Sequence, residues 1–383
     1  MNDSGHRRTD AQASPSGSGA GDLAILLPAR RRPAVPGLSV ALIDEQGTRW
    51  TGATGLATIR TSTPATPQTI VPWFSMTKIM TATAVLQLTD RGKLDLDAPA
   101  SRYLPEFAPV PRRANDPPVT VRHLLNHSSG LPNPIPVAWV HPADATGPDN
   151  RAFTHRLLAR RIRLTASPGG RTAYSNLGYL VLGEVIARAS GVRYEDYIRG
   201  QLLQPLGMRR TDFVYRDDMV PDAATGYQPR WHPFTPLLRV MLPKGIIGAA
   251  AGRFVAFRRF YVNGAAYGGL IGPADDVARL LRLHLNGGTV DGQHLLSAGS
   301  VAMMQRISAT GSKLDVGLGW FRSRADTRRG RHFLEHLGGG AGFWSVMRLY
   351  PEEGVGVVVM GNATRYDHEQ VVATVLRQVV GLG

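Results

Sequence analysis

Val71-Pro72-Trp73-Phe74-Ser75-Met76-Thr77-Lys78 sets a serine three positions before a lysine, with a run of helix formers behind it. The chain has only four lysines, Lys78, Lys93, Lys244 and Lys313, and no other has a serine at that spacing. If a helix starts near Ser75, positions i and i+3 share a face, so the Lys78 amine stands against the Ser75 hydroxyl. The first helical turn adds free N–H groups and partial positive charge beside that hydroxyl. A serine hydroxyl is a poor nucleophile until a base takes its proton, and a desolvated lysine can serve. The same spacing also suits a serine that merely caps a helix, so the pattern needs support from elsewhere.

Two further stretches supply it. Pro168-Gly169-Gly170-Arg171-Thr172-Ala173-Tyr174-Ser175-Asn176 precedes a helix read over 177–190 and stopped by Gly191. A Tyr-x-Asn on a turn can set a phenol and an amide side by side, facing Ser75. The plainer alternative makes Tyr174 a core residue and Asn176 the helix cap. Glu335-His336-Leu337-Gly338-Gly339-Gly340-Ala341-Gly342-Phe343 then leads into an apolar strand. Glycines beside a strand let a substrate backbone approach closely, or they form an ordinary turn.

In this order and separation, Ser75-x-x-Lys78, Tyr174-x-Asn176 and His336-x-Gly338 resemble three motifs of the serine β-lactamase and penicillin-binding-protein superfamily. The likeness is closest to its class C branch, with class C β-lactamases, D,D-peptidases and family VIII esterases. Val121 to Leu131 (VRHLLNHSSGL), Gln204 to Met208 (QPLGM), Gly268 to Ile271 (GGLI) with Asp275 to Ala278 (DDVA), and Gly317 to Trp320 (GLGW) are similar to flanking segments of that family. The resemblance extends over residues 34–383. It implies a serine hydrolase in which Ser75 forms an acyl-enzyme. Lys78, neutral or proton-sharing, and Tyr174 would move the proton in acylation. Tyr174 would also help activate the deacylating water, for which its phenol needs a nearby positive charge such as Lys78. Asn176 would orient Lys78 and bind substrate. His336 and Gly338 would line the substrate side, and the N–H groups of Ser75 and Gly339 would form the oxyanion hole. No metal or cofactor is implied.

Two departures bear on the substrate. His336 stands where many relatives carry lysine, so a permanent charge for a substrate carboxylate is lost at neutral pH. Leu337 replaces a threonine whose hydroxyl helps bind that carboxylate. Neutral esters or amides therefore fit better than penicillins or D-Ala-D-Ala peptides. The alternatives are a β-lactamase or D,D-peptidase, and a non-catalytic penicillin-binding-like sensor.

The pattern of elements predicts an α+β fold. Gly37 to Asp44, Thr48 to Ala53, Phe343 to Tyr350 and Val355 to Met360 read as strands at the two chain ends. Helices are expected over 78–90, 177–190, 274–285 and 367–380. The expectation is an antiparallel sheet built from both ends (34–74 and 268–383), flanked by helices, with a mostly helical region (75–230) inserted. Residues 1–22, rich in Ser and Gly, read as a flexible tail before a single hydrolase domain over 23–383. Arg7-Arg8 is followed by no apolar core and no run approaches a membrane span, so a cytoplasmic protein is expected.

Composition removes other classes. The absence of cysteine excludes a disulfide scaffold, a thiolate zinc site and a cysteine nucleophile. The formal charge of +15 is almost wholly arginine, scattered in short runs with no nucleic-acid motif, so it reads as a solvated surface and no nucleic-acid partner is expected. The expected partner is a small ester, amide or lactam. One stretch, Trp231 to Gly269, is apolar with interspersed arginines. It fits either a buried connection with a strand, or a lid over 231–267 that walls an acyl pocket. A less favoured reading is peripheral membrane contact through 237–262.

Overall fold

GLSVALID, residues 37–44, is apolar almost without a break, as suits a strand covered on both faces. In the computed structural model, which describes residues 19–22, 35–147, 149–233, 235–312, 314–323 and 332–381, it holds that position. Val40 and Leu42 enter one apolar layer, Ala41 and Ile43 the other.

In chain order the principal elements are β1 (Gly19–Asp22), β2 (Gly37–Asp44), β3 (Thr48–Thr58), α1 (Thr77–Asp90), α2 (Asn176–Ser190), β4 (Gly226–Pro229), α3 (Thr235–Met241), β5 (Ile247–Ala251), β6 (Phe254–Phe257), α4 (Ala274–Leu285), β7 (Ala309–Thr310), β8 (Leu314–Val316), β9 (Phe321–Ser323), β10 (Leu334–Gly340), β11 (Phe343–Tyr350), β12 (Val355–Gly361) and α5 (His368–Val375). A ten-stranded sheet runs β1-β3-β2-β12-β11-β10-β9-β8-β7, with Thr63–Pro64 added on β3. β2 pairs antiparallel with β12 from Leu38↔Gly361 to Asp44↔Val355, so the two ends of the chain close one sheet. This is the α+β architecture expected from the sequence. α4 covers one face with Val277, Leu280 and Leu281. α5 covers the other with Val371, Val372 and Val375.

Residues 19–22 fall in the stretch expected to be a tail, yet they form β1, parallel to Trp50–Ala53 of β3. A short edge strand needs only backbone hydrogen bonds, so a Gly-rich composition does not reveal it. Residues 1–18 lie outside the described residues. The last helix is regular only to Val375 and continues as a wider turn over Leu376–Val380.

The helical region surrounds α1, which is buried at every position from Thr77 to Leu88. Its sequence accordingly lacks an apolar stripe, and its threonines bond inward, Thr81 Oγ1 donating to the Ala266 carbonyl at 2.7 Å. Just before it, Val71–Pro72 pairs with Ile271–Gly272, and the Trp73 N–H donates to Leu270 O at 2.8 Å. The start of α1 is thereby pinned inside the molecule.

The stretch 231–267 divides. β6 is buried through Phe254, Val255 and Phe257, in a small sheet ordered β4-β6-β5. Trp231, in the turn before α3, is 84% exposed, and Val240 of α3 is 83% exposed. Neither a wholly buried connection nor a detached flap describes it. Among the described residues no helix is long and apolar enough to cross a membrane.

Candidate active site

Ser75 lies in a tight 3-10 turn, Phe74–Met76, that leads into α1. Phe74 has φ of 46°, a left-handed backbone that costs an aromatic residue on the order of 1–3 kcal/mol. Packing holds it there: its ring lies 6.1 Å from Phe260 and 6.4 Å from Phe343. Ser75 caps no helix. The residue before α1 is Met76, and no side chain caps its N–H groups.

Lys78 points back one turn, as the i, i+3 spacing predicts. Its Nζ is 3.0 Å from Ser75 Oγ, 2.9 Å from Asn176 Oδ1 and 2.7 Å from the Tyr267 carbonyl oxygen. The side chain is fully buried, and burial holds its pKa well below the ordinary lysine value. A neutral amine has two N–H bonds and one lone pair. Two of the three partners, Asn176 Oδ1 and Tyr267 O, can only accept. They take the two N–H bonds, so the lone pair faces the Ser75 hydroxyl.

Tyr174 completes the chain from the other side, its hydroxyl donating to Ser75 Oγ at 2.7 Å. Burial pushes this phenol up from its ordinary pKa, and only the bond to Ser75 opposes the shift. Burial works against the charged form of both groups, the Lys78 ammonium and a Tyr174 phenolate. Tyr174, Ser75 and Lys78 form one hydrogen-bonded chain. Asn176 is not the helix cap. Ser175 is, its Oγ accepting from Gly178 N at 3.3 Å, which leaves the Asn176 amide free to hold Lys78.

β10 runs past the Ser75 turn. Beyond Glu335, paired with Phe321, it has no ladder partner on that edge among the described residues. A Cβ on Gly338 would stand 2.2 Å from the Trp73 carbonyl oxygen, so only glycine lets strand and turn approach this closely. Gly339 follows directly, and the Ser75 N–H belongs to a first helical turn, where amides lack intrahelical acceptors.

His336 differs from expectation. It was read as lining the substrate side; instead it is wholly buried, its ring 4.2 Å from that of Phe321 and its Nδ1 donating to Leu337 O at 2.9 Å. Burial lowers its pKa to about 3, with Lys78 adding to the effect, so it stays neutral. Leu337, the next residue, is half-buried and packs on the opposite face, against the α5 layer.

Three contributors had no clear mark in the sequence. The Tyr267 carbonyl is backbone, and no residue type announces it. His127, inside the quoted LLNHSSGL segment, has φ of 56° and stacks on Tyr174 at 4.6 Å. Its Nδ1 accepts from Ser175 N at 3.2 Å, which ties the Tyr174 turn to residues 121–131. Three phenol rings, Tyr174, Tyr179 and Tyr267, lie 5.0, 5.5 and 5.3 Å from Lys78 Nζ. Only the fold brings them together.

Known proteins share this arrangement. The family model described as Beta-lactamase matches residues 27–381. Esterase EstB of Burkholderia gladioli is 36% identical over 259 residues, 63% of this chain and 64% of that protein, so the match spans just under two thirds of the esterase. The D-alanyl-D-alanine-carboxypeptidase/endopeptidase AmpH of Escherichia coli (strain K12) is 26% identical over 295 residues, 75% of this chain and 69% of its own. Among solved structures, the octameric penicillin-binding protein homologue from Pyrococcus abyssi has a TM-score of 0.70 at 26% identity, over 91% of this chain and 74% of that one. A family match across nearly the whole chain, on a sheet closed by both termini around a buried helix, makes this chain a member of the beta-lactamase family.

Proposed function

We propose that the protein is a serine hydrolase that opens neutral esters and amides through an acyl-enzyme on Ser75. The observation that carries this reading is the buried Lys78 Nζ 3.0 Å from Ser75 Oγ, its pKa lowered by burial in the direction of the free base. In acylation, Ser75 Oγ bonds to the substrate carbonyl carbon as its proton passes to Lys78 Nζ. The three surrounding phenol rings favour the ammonium formed for that moment. The N–H groups of Ser75 and Gly339 receive the oxyanion, each worth a few kcal/mol. Collapse expels the alcohol or amine. The Tyr174 hydroxyl protonates that leaving group and is reprotonated from the Lys78 ammonium through water. Deacylation reverses the path: water adds to the acyl carbon, its proton goes to the Tyr174–Lys78 pair, and Ser75 Oγ leaves with a proton.

Preference for neutral substrates is supported by His336: a buried imidazole kept neutral by its surroundings offers no cation to a substrate carboxylate. The relative named as a D-alanyl-D-alanine-carboxypeptidase/endopeptidase keeps lactams and peptides as the second reading. Assay with a serine-reactive fluorophosphonate, a short-chain nitrophenyl ester and a chromogenic cephalosporin separates the cases. Ester turnover abolished in Ser75→Ala is expected. Faster cephalosporin turnover would favour the second reading. Labelling without turnover would favour a sensor, and absence of Ser75-dependent labelling would refute catalysis.

A further inference from the structure

A cavity of about 620 Å³ lies between residues 58–60, 143–144, 215–225 and the β5–β6 hairpin. Neither Ser75, Lys78 nor Tyr174 lines it. Phe257, one of its lining residues, also borders Gly342 at the end of the glycine run. Its size suits a small organic molecule.

The lining is unequal in charge. Arg60, Arg258 and Arg259 all border it, against one carboxylate, Asp144. Asp144 pairs with Arg258 at 3.2 Å. Arg60 and Arg259 have no carboxylate partner among the described residues; the Arg259 guanidinium instead lies 5.9 Å over the Tyr215 ring. The Tyr215 hydroxyl makes no hydrogen bond among the described residues, while its ring stacks near Tyr261 at 5.6 Å. Opposite them the wall is Ala249, Ala250 and Ala251 of β5, an edge strand whose short side chains leave room for a flat body.

We propose that this cavity is a second binding site, for an organic carboxylate carried on an aromatic or short acyl body. The unpaired guanidiniums of Arg60 and Arg259 take the carboxylate, with the Tyr215 hydroxyl as a further donor. The tyrosine rings and alanine wall take the apolar part. The site is separate from the hydrolytic centre and does not depend on its chemistry.

The test uses the full chain with 2-naphthoate as probe and 2-naphthamide as its uncharged counterpart, by isothermal titration. Both are titrated into wild type, Arg60→Ala/Arg259→Ala and Ala250→Trp. One-to-one binding of naphthoate is expected, weakened about tenfold or more in the double arginine variant, as for loss of a charge-assisted pair. Ala250→Trp, which fills the cavity, abolishes it, and the amide binds weakly throughout. Arg112→Ala/Arg113→Ala removes two exposed arginines elsewhere and leaves binding unchanged. Equal binding in wild type and both cavity variants, no binding to wild type, or the same loss in the Arg112/Arg113 variant would overturn the proposal. Circular dichroism checks that each variant is folded.

Discussion

Lys78 Nζ makes three polar contacts, and the base role proposed for it needs the unprotonated amine. Asn176 Oδ1 and Tyr267 O claim the amine's two protons, so protonating Lys78 removes the lone pair that Ser75 needs. Activity is therefore expected to fall on the acid side as the amine protonates. The pKa of Lys78 is lowered, so the active form extends to lower pH than a solvated lysine would allow. The pH profile of kcat/KM on a nitrophenyl ester measures this limb. His336 titrates at about 3 and should add no inflection near the ordinary histidine value of 6.5, so His336→Gln should keep the limb in place. Lys78→Arg, which has no neutral form at working pH, is expected to lose at least about a hundredfold in kcat/KM. Tyr174→Phe should cost about as much with little change in melting temperature, because the ring that packs on His127 is kept.

At the scale of elements, β10 and the Ser75 turn are held in contact by what is absent at Gly338 and by what is buried behind it. Gly338→Ala would drive a methyl into the Trp73 carbonyl, which is backbone and cannot swing aside. The turn must shift, and a misplaced nucleophile costs about a hundredfold in rate. Comparing kcat/KM and melting temperature for Gly338→Ala with those for Gly92→Ala isolates the effect. Gly92 has nothing near its missing Cβ and, unlike Gly338, lies in the left-handed region, so its variant reports backbone strain without a clash. One residue before His336, Glu335 pairs with Arg348 at 2.6 Å, both side chains nearly inaccessible, and Arg348 also reaches Glu369 at 2.7 Å. Arg348→Met leaves the Glu335 carboxylate buried without a partner, an expected loss of about 3–5 kcal/mol. Denaturant unfolding should show that loss, with much of it restored in Arg348→Met/Glu335→Leu.

At the scale of the whole molecule, three histidines among the described residues are buried and neutral: His127, His284 and His336. Burial lowers the pKa of each, to about 3 for His284 and His336. The unfolded chain binds these protons below its ordinary value of 6.5, whereas the folded chain does not. Stability is therefore full above that value and declines as pH falls towards the folded values, by about 1.4 kcal/mol per pH unit for each histidine. Glu369, held below its ordinary range by its hydrogen bonds to His368 and Arg348, adds a loss of the same sign at lower pH. Melting temperature is expected to drop steadily on acidification below about pH 6. The slope should be shallower in His284→Gln, which removes a buried imidazole bonded to Thr83 and packed on Trp320.

The sequence by itself determined whatever depends on local spacing. Ser75 and Lys78 meet because one helical turn separates them. The strands at 37–44 and 343–350 were legible because a continuous apolar run needs cover on both faces. Tyr174 and Asn176 could be picked out, but not their roles; a helix start at Asn176 or at Ser175 differs by one residue, and only the fold shows which side chain caps. The tertiary structure decided everything that rests on burial. It lowered the pKa of Lys78 and raised that of Tyr174. It turned His336 inward against Phe321 and supplied the Tyr267 carbonyl from a segment that reads as a lid. Protonation states depend on how much water a side chain loses, and that follows from the packing of residues far apart in the chain, which no motif records.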